Sequence, residues 1–210
     1  DLNPCSASPQ NHKIFVHHTR ERFFSSLPKN GIGAEIGVDE GKGTEEYLIP
    51  LTSPKELFLI DPWELCENSS AQWANMKQRL LGVEEKFKNN PSVKIIQDFS
   101  VPASEKFRDN YFDYVYIEGM HEYPNTVADL AHWLPKVKKG GVLSVGQACL
   151  EDLHWSGVIA GIFEFCAKYV LNRPDLLEQE KHRQDSFINM LAEVLEKGTH
   201  IHYLAKKDYL

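Results

Sequence analysis

No apolar run in this 210-residue chain approaches the ~20 residues that a membrane-spanning helix requires. The longest, around residues 57–60 and 158–165, suit buried segments of a globular core, so no membrane partner is expected. Basic residues are outnumbered, 23 Lys and Arg against 30 Asp and Glu, and the net charge is -7. Lys136, Lys138 and Lys139 form only a short basic run, too little to neutralise a phosphate backbone, which argues against a nucleic-acid partner. Cysteine is sparse as well. Cys5, Cys66, Cys149 and Cys166 have neither CxxC spacing nor a metal-ligand rhythm, so neither a zinc site nor a disulfide framework is supported and a reducing, cytoplasmic setting is the expectation. The histidines at 17, 18, 200 and 202 lack an accompanying acid or cysteine cluster, and no metal site is expected from them. The chain opens on Asp1 rather than methionine, which fits either an excised piece of a longer chain or a processed product whose targeting segment has been removed.

The residues that are present describe one ordinary α/β domain over 1–210. With 42% hydrophobic and 25% charged residues the chain can bury a single sizeable core. Residues 12–27 carry Ile14, Phe15, Phe23, Phe24 and Leu27 and read as an amphipathic helix within an N-terminal cap at 1–30. From 31 to 170, short apolar runs alternate with helical patterns: strands at 31–38, 56–60, 93–97, 114–117 and 142–145, helices at 71–87, 103–107, 125–137 and 158–170. Lys139-Gly140-Gly141 reads as the stop of the helix before the fifth strand. Beyond 170 follow a charged interval at 172–185, a helix at 186–196 and a late strand at 199–205. Nearly continuous apolar strands separated by helices imply a doubly wound, mainly parallel sheet covered on both faces.

Ligands of such sheets bind outside the carboxyl ends of the strands, so the residues just after each strand form one set. The first strand runs into Glu35-Ile36-Gly37, with Gly41 and Gly43 beyond, where missing side chains let backbone amides approach a ligand and a helix N-terminus follows. The glycine spacing does not match the G-x-G-x-x-G of dinucleotide binders. At the second strand end, Asp61 can accept from both hydroxyls of a ribose, and Trp63 is placed to lie against a purine or a sulfonium. The third end offers Asp98 and Phe99 for an adenine, with helix capping as the alternative role of Asp98. The fourth supplies Glu118, His121 and Tyr123, an acid, an imidazole and a phenol. His121 has the ordinary pKa, ~6.5, that suits general-base work near neutrality. After the fifth strand come Gln147, then His154 and Trp155, which either shape an acceptor pocket or belong to a surface loop with an aromatic anchor.

The stretches GAEIGVDEGKGT, LFLIDPW and DYVYIEGMHEYPNTVADLAHWLPKVKKGGVL resemble the class I S-adenosylmethionine-dependent methyltransferases, in particular methyltransferase family 24 with its small-molecule and sugar O-methyltransferases. The resemblance covers residues 33–165. It implies a Rossmann-like fold, S-adenosylmethionine as cofactor, and a site in which Glu35, Gly37, Gly41, Asp61, Trp63, Asp98 and Phe99 line the cofactor while Glu118 and His121 face the reacting centre. It further implies a small-molecule acceptor and a homodimer as the assembly. Two positions depart from the family: Glu118 stands where relatives commonly have aspartate, and Val145-Gly146-Gln147-Ala148 replaces the acidic pair that holds magnesium in metal-using members. Magnesium demands carboxylate anchors in near-octahedral geometry, so the expectation is a metal-independent methyl transfer to oxygen or nitrogen. The alternative is a methyltransferase fold that has kept the ligand and lost catalysis.

Overall fold

A computed structural model describes residues 13–17, 20–66, 74–120, 122–148, 156–165 and 201–206. Its centre is a seven-stranded sheet made of β1 (Lys13–His17), β2 (Ile32–Ile36), β3 (Glu56–Asp61), β4 (Val93–Gln97), β5 (Phe112–Ile117), β6 (Val137–Ala148) and β7 (Ile201–Lys206), ordered β1-β7-β6-β5-β2-β3-β4. The five strands from β6 to β4 are mutually parallel, and β7 runs antiparallel to both β6 and β1. From β1 at the edge the chain passes to β2 in the middle, builds outward to β4, then returns to build β5 and β6 on the other side. Strand order therefore reverses between β2 and β5, the place where a doubly wound sheet opens a ligand crevice.

Strand periodicity sorts the core into two layers. Ala34, Ile36, Ile60, Val115, Ile117 and Val145 face one side, where they pack against α4 (Ser100–Ser104), α5 (Tyr123–Trp133) and α6 (Ser156–Phe165). Leu57, Leu59, Tyr114 and Tyr116 face the other, against α1 (Arg20–Ser26) and α3 (Met76–Phe87). Between β2 and β3 a π-helical turn, Thr44–Leu48, runs straight into α2 (Ile49–Thr52). On α3, Met76, Leu80, Val83 and Phe87 recur at helical spacing and are buried, so this helix forms because one stripe of it is apolar. Among the described residues no helix is long and apolar enough to cross a membrane.

The structure corrects the sequence expectation at two places. Residues 12–27 are not one helix. Lys13–His17 pairs with β7 in register from Lys13 opposite Lys206 to His17 opposite His202, and only Arg20–Ser26 is helical. The sheet edge supplies β1 with a hydrogen-bonding partner that lies almost 190 residues away, which no local pattern announces. Gly140 and Gly141 do not cap a helix either, because α5 ends at Trp133 and a short 3-10 turn, Leu134–Lys136, precedes β6. Gly140 has φ +76° and sits in an irregular stretch of β6, where the pairing with β5 shifts between Phe112 and Tyr114. A Cβ on Gly141 would crowd the Asp113 carbonyl at 2.8 Å, so this glycine lets two strands approach. The expected helix at 186–196 and the interval 172–185 lie outside the described residues.

Candidate active site

The turn after β2 is organised by one carboxylate. Asp61, at the end of β3, accepts the backbone N–H groups of Val38 at 2.8 Å and Asp39 at 3.0 Å on Oδ2, and that of Trp63 at 2.8 Å on Oδ1. A carboxylate has about four lone-pair positions, so three bonds leave one open, on Oδ1. Burial raises the Asp61 carboxyl above the usual aspartate range, while the three amide donors pull it back toward the charged form. Gly37 makes the turn possible. It has φ +86°, and any Cβ there would collide with the backbone of Glu118. The Gly37 N–H donates to the Ile60 carbonyl at 2.8 Å and the Glu118 N–H to that of Ile36 at 2.7 Å, which ties the ends of β2, β3 and β5 together.

These strand ends floor a cleft of about 850 Å³, within the usual size of small-molecule sites. Glu35 lines it, 3% exposed, and accepts the Thr44 hydroxyl at 2.5 Å. Desolvation, with Glu118 and Asp61 nearby, pushes its pKa to about 8 despite that hydrogen bond. Glu118 receives the Tyr116 hydroxyl on Oε2, while its Oε1 is buried with no partner among the described residues. Desolvation lifts it to about 7, against the opposing pull of the Tyr116 hydroxyl and the Arg20 guanidinium. The carboxylate lies directly over Gly146 of β6, where any Cβ would strike it. The extra methylene of glutamate, relative to aspartate, thus occupies space that a side chain at 146 would need.

At the other end of the cleft, Phe99 is 47% exposed and lines the wall beside Ser100 and Pro102. The expected adenine acceptor next to it is turned elsewhere. Asp98 bonds Lys106 Nζ at 2.7 Å and the Phe99 N–H at 2.8 Å, does not line the cleft, and is held below the ordinary aspartate range chiefly by Lys106. Trp63 is also not where a ligand could stack on it. Its ring is fully buried in the α3-side core and its Nε1–H donates to the Asp39 carbonyl at 2.9 Å, because the cluster around Leu57, Leu80 and Val83 has room for an indole. Gly41, with φ +66°, faces the Phe87 ring of α3, which a Cβ there would meet at 2.9 Å, and does not line the cleft. Tyr123 opens α5, 41% exposed, and does not line the cleft. Gln147 lies on β6. His121, His154 and Trp155 lie outside the described residues.

Asp129 and Arg20 are among the lining residues that the sequence expectation did not name. Asp129 is buried, accepts from Ser100, which in turn receives the Trp133 indole N–H at 2.9 Å, and is raised by desolvation to about 6. It had a legible signal. Thr126, Asp129, Leu130 and Trp133 form the buried stripe of α5, and a lone acid on such a stripe needs a polar reason to be there. Arg20, on α1, had none, since it is the packing of Phe23 and Phe24 against Tyr116 that brings α1 beside the strand ends.

The chain matches the model of a methyltransferase domain family over residues 34–146, more than half its length and all of this cleft's floor from β2 to β6. It belongs to that family. An rRNA methylase of Streptococcus thermophilus is similar in fold, with TM-score 0.55 and 12% identity over 90% of this chain and 94% of that one. So is a Methanococcus maripaludis protein assigned as an S-adenosyl-L-methionine-dependent methyltransferase, with TM-score 0.52 and 15% identity over 91% of this chain and 84% of the other. A spermidine synthase of Thermotoga maritima aligns at TM-score 0.47 and 16% identity over 69% of this chain, which spans 47% of the synthase's length. No curated protein sequence matches. The methyl donor of this methyltransferase domain is S-adenosylmethionine, and the donor set fits it: Glu35 and Glu118 are buried carboxyls that, once ionised, would suit a sulfonium and an ammonium, and Glu118 Oε1 has no partner among the described residues.

Those raised carboxyls set a pH dependence. Glu35 and Glu118 hold protons in the folded state that the unfolded chain releases above about 4.5, so unfolding free energy falls as pH rises from about 5 to about 8. Glu35→Gln removes the larger part of that slope. At pH 8 the variant is expected to be more stable than the parent by on the order of a few kcal/mol, and near pH 5 equal to it. Urea unfolding of both at the two pH values checks this.

Proposed function

We propose that the protein transfers the methyl group of S-adenosylmethionine to an oxygen or nitrogen of a small-molecule acceptor without a metal ion. The observation that carries this is the Glu118 carboxyl: buried at the carboxyl end of β5, one oxygen unpartnered, and poised near neutrality. When bound, the cofactor supplies an electrophilic methyl group on a cationic sulfur. The protein's part is to hold an acceptor hydroxyl or amine in line with it and to take the acceptor's proton, and alignment of this kind can be worth on the order of 7–11 kcal/mol. Glu118 and His121 are the proposed proton acceptors, with Asp61 and Phe99 on the nucleoside, and Gln147, His154 and Trp155 around the acceptor.

Independence from metal rests on the chemistry of the donor set. Gly146 has no side chain, Gln147 has no charge, and Glu118 extends across the space between β5 and β6. The test is a panel of phenols, sugars and amines incubated with S-adenosylmethionine, reading S-adenosylhomocysteine formed in EDTA and in magnesium. Turnover of at least one acceptor, changed less than about twofold by EDTA, is expected. Activity that EDTA abolishes and magnesium restores overturns the metal-free reading, and cofactor binding with no turnover across the panel favours a binding module.

A further inference from the structure

The charge balance of the cleft is lopsided. Glu35, Asp39, Asp61, Glu118, Glu122 and Asp129 line it, against two cations, Arg20 and Arg79. An acidic cleft suits a sulfonium and an ammonium, yet the amino-acid end of S-adenosylmethionine also carries a carboxylate. Placed among Glu35 and Glu118, that carboxylate is repelled unless a cation stands with it. Arg79 is already engaged, since it bonds Asp39 and lies 4.0 Å from Glu40. Arg20 makes no ion pair among the described residues, lines the same wall as Phe24, and faces the hydrogen-bonded pair of Tyr116 and Glu118. Its helix α1 packs on one face of the sheet, through Phe23 and Phe24, while α4, which carries Ser100 and Pro102, packs on the other.

We infer that Arg20 receives the carboxylate of the cofactor's methionine moiety, its guanidinium forking onto both oxygens, so that α1 reads the amino-acid end of the ligand while β3 and the Phe99 segment read the nucleoside. The inference rests on the cofactor assignment above. Arginine is the residue best shaped for the task, because its planar donors match a carboxylate in pairs.

Two ligands separate the ends of the molecule: S-adenosylhomocysteine, which has the amino-acid group, and 5′-methylthioadenosine, which lacks it. Calorimetric titration of the wild-type protein should show both binding, S-adenosylhomocysteine more tightly. Arg20→Ala should weaken S-adenosylhomocysteine about tenfold or more and leave 5′-methylthioadenosine within about twofold, with Arg20→Lys between. An unchanged S-adenosylhomocysteine affinity overturns the inference and leaves Arg20 to an acceptor. Equal weakening of both ligands overturns it too, as that is the mark of a distorted fold. If the wild type binds neither, it is the cofactor assignment that fails.

Discussion

Glu118→Gln is expected to lower kcat by about 10²- to 10⁴-fold with the best acceptor of the panel, the range associated with loss of a general base. The substitution is nearly isosteric. The Tyr116 hydroxyl keeps an oxygen to bond, and Gly146 still leaves room for the side chain. In the parent protein the base must be ionised to accept the acceptor's proton, so kcat should rise with pH through about 7. That limb should vanish in the variant. The pH–rate profile is therefore the deciding measurement. A variant that keeps both its rate and its limb assigns the proton to His121, whose ordinary titration range is close by.

The second large effect belongs to Asp61. Removing its carboxylate by Asp61→Ala orphans three backbone N–H groups, of which those of Val38 and Trp63 are buried. At roughly 1–3 kcal/mol for each buried orphan, a loss of about 2–4 kcal/mol is expected, and a Tm lower by on the order of 10 °C. Cofactor affinity should fall by well over tenfold, because the ribose partner and the shape of the glycine turn go together. Differential scanning calorimetry with and without S-adenosylhomocysteine checks both parts: the parent should be stabilised by the ligand and the variant scarcely at all. The sequence expectation had Asp61 accepting both ribose hydroxyls. Geometry reduces this to one open position and adds a structural duty, so loss of binding in Asp61→Ala must be read beside its Tm.

What local pattern can say, it says well in this chain. The strands β2 to β5 follow from short apolar runs, and α3 from an apolar stripe at 76, 80, 83 and 87. The late strand β7 falls within the alternating stretch at 199–205, to within a residue of its end. The failures are non-local. Lys13–His17 is a strand only because β7 comes back beside it, and Gly140-Gly141 looks like a helix stop until β5 is placed against it. Within the site, residues whose backbone closes the strand ends were legible, because turn glycines and a strand-end acid have few other uses. Side-chain direction was not. Trp63 and Asp98 stand one or two positions past strand ends, as cofactor residues do, but the α3-side core takes the indole and Lys106 takes the carboxylate. Asp129 takes a place on the cleft wall that the strand-end rule could not reach, since it comes from a helix face.

We propose that the acidic cleft at the β2–β5 crossover holds S-adenosylmethionine, with Glu35 and Glu118 ionised to meet its positive charge. Calorimetric titration of the protein with S-adenosylmethionine from pH 6 to pH 8.5 tests this. Saturable one-to-one binding is expected, tightening as the pH rises through about 7 to 8, the interval over which those two carboxyls lose their protons. Absence of saturable binding, or an affinity that weakens as the pH rises, would contradict it.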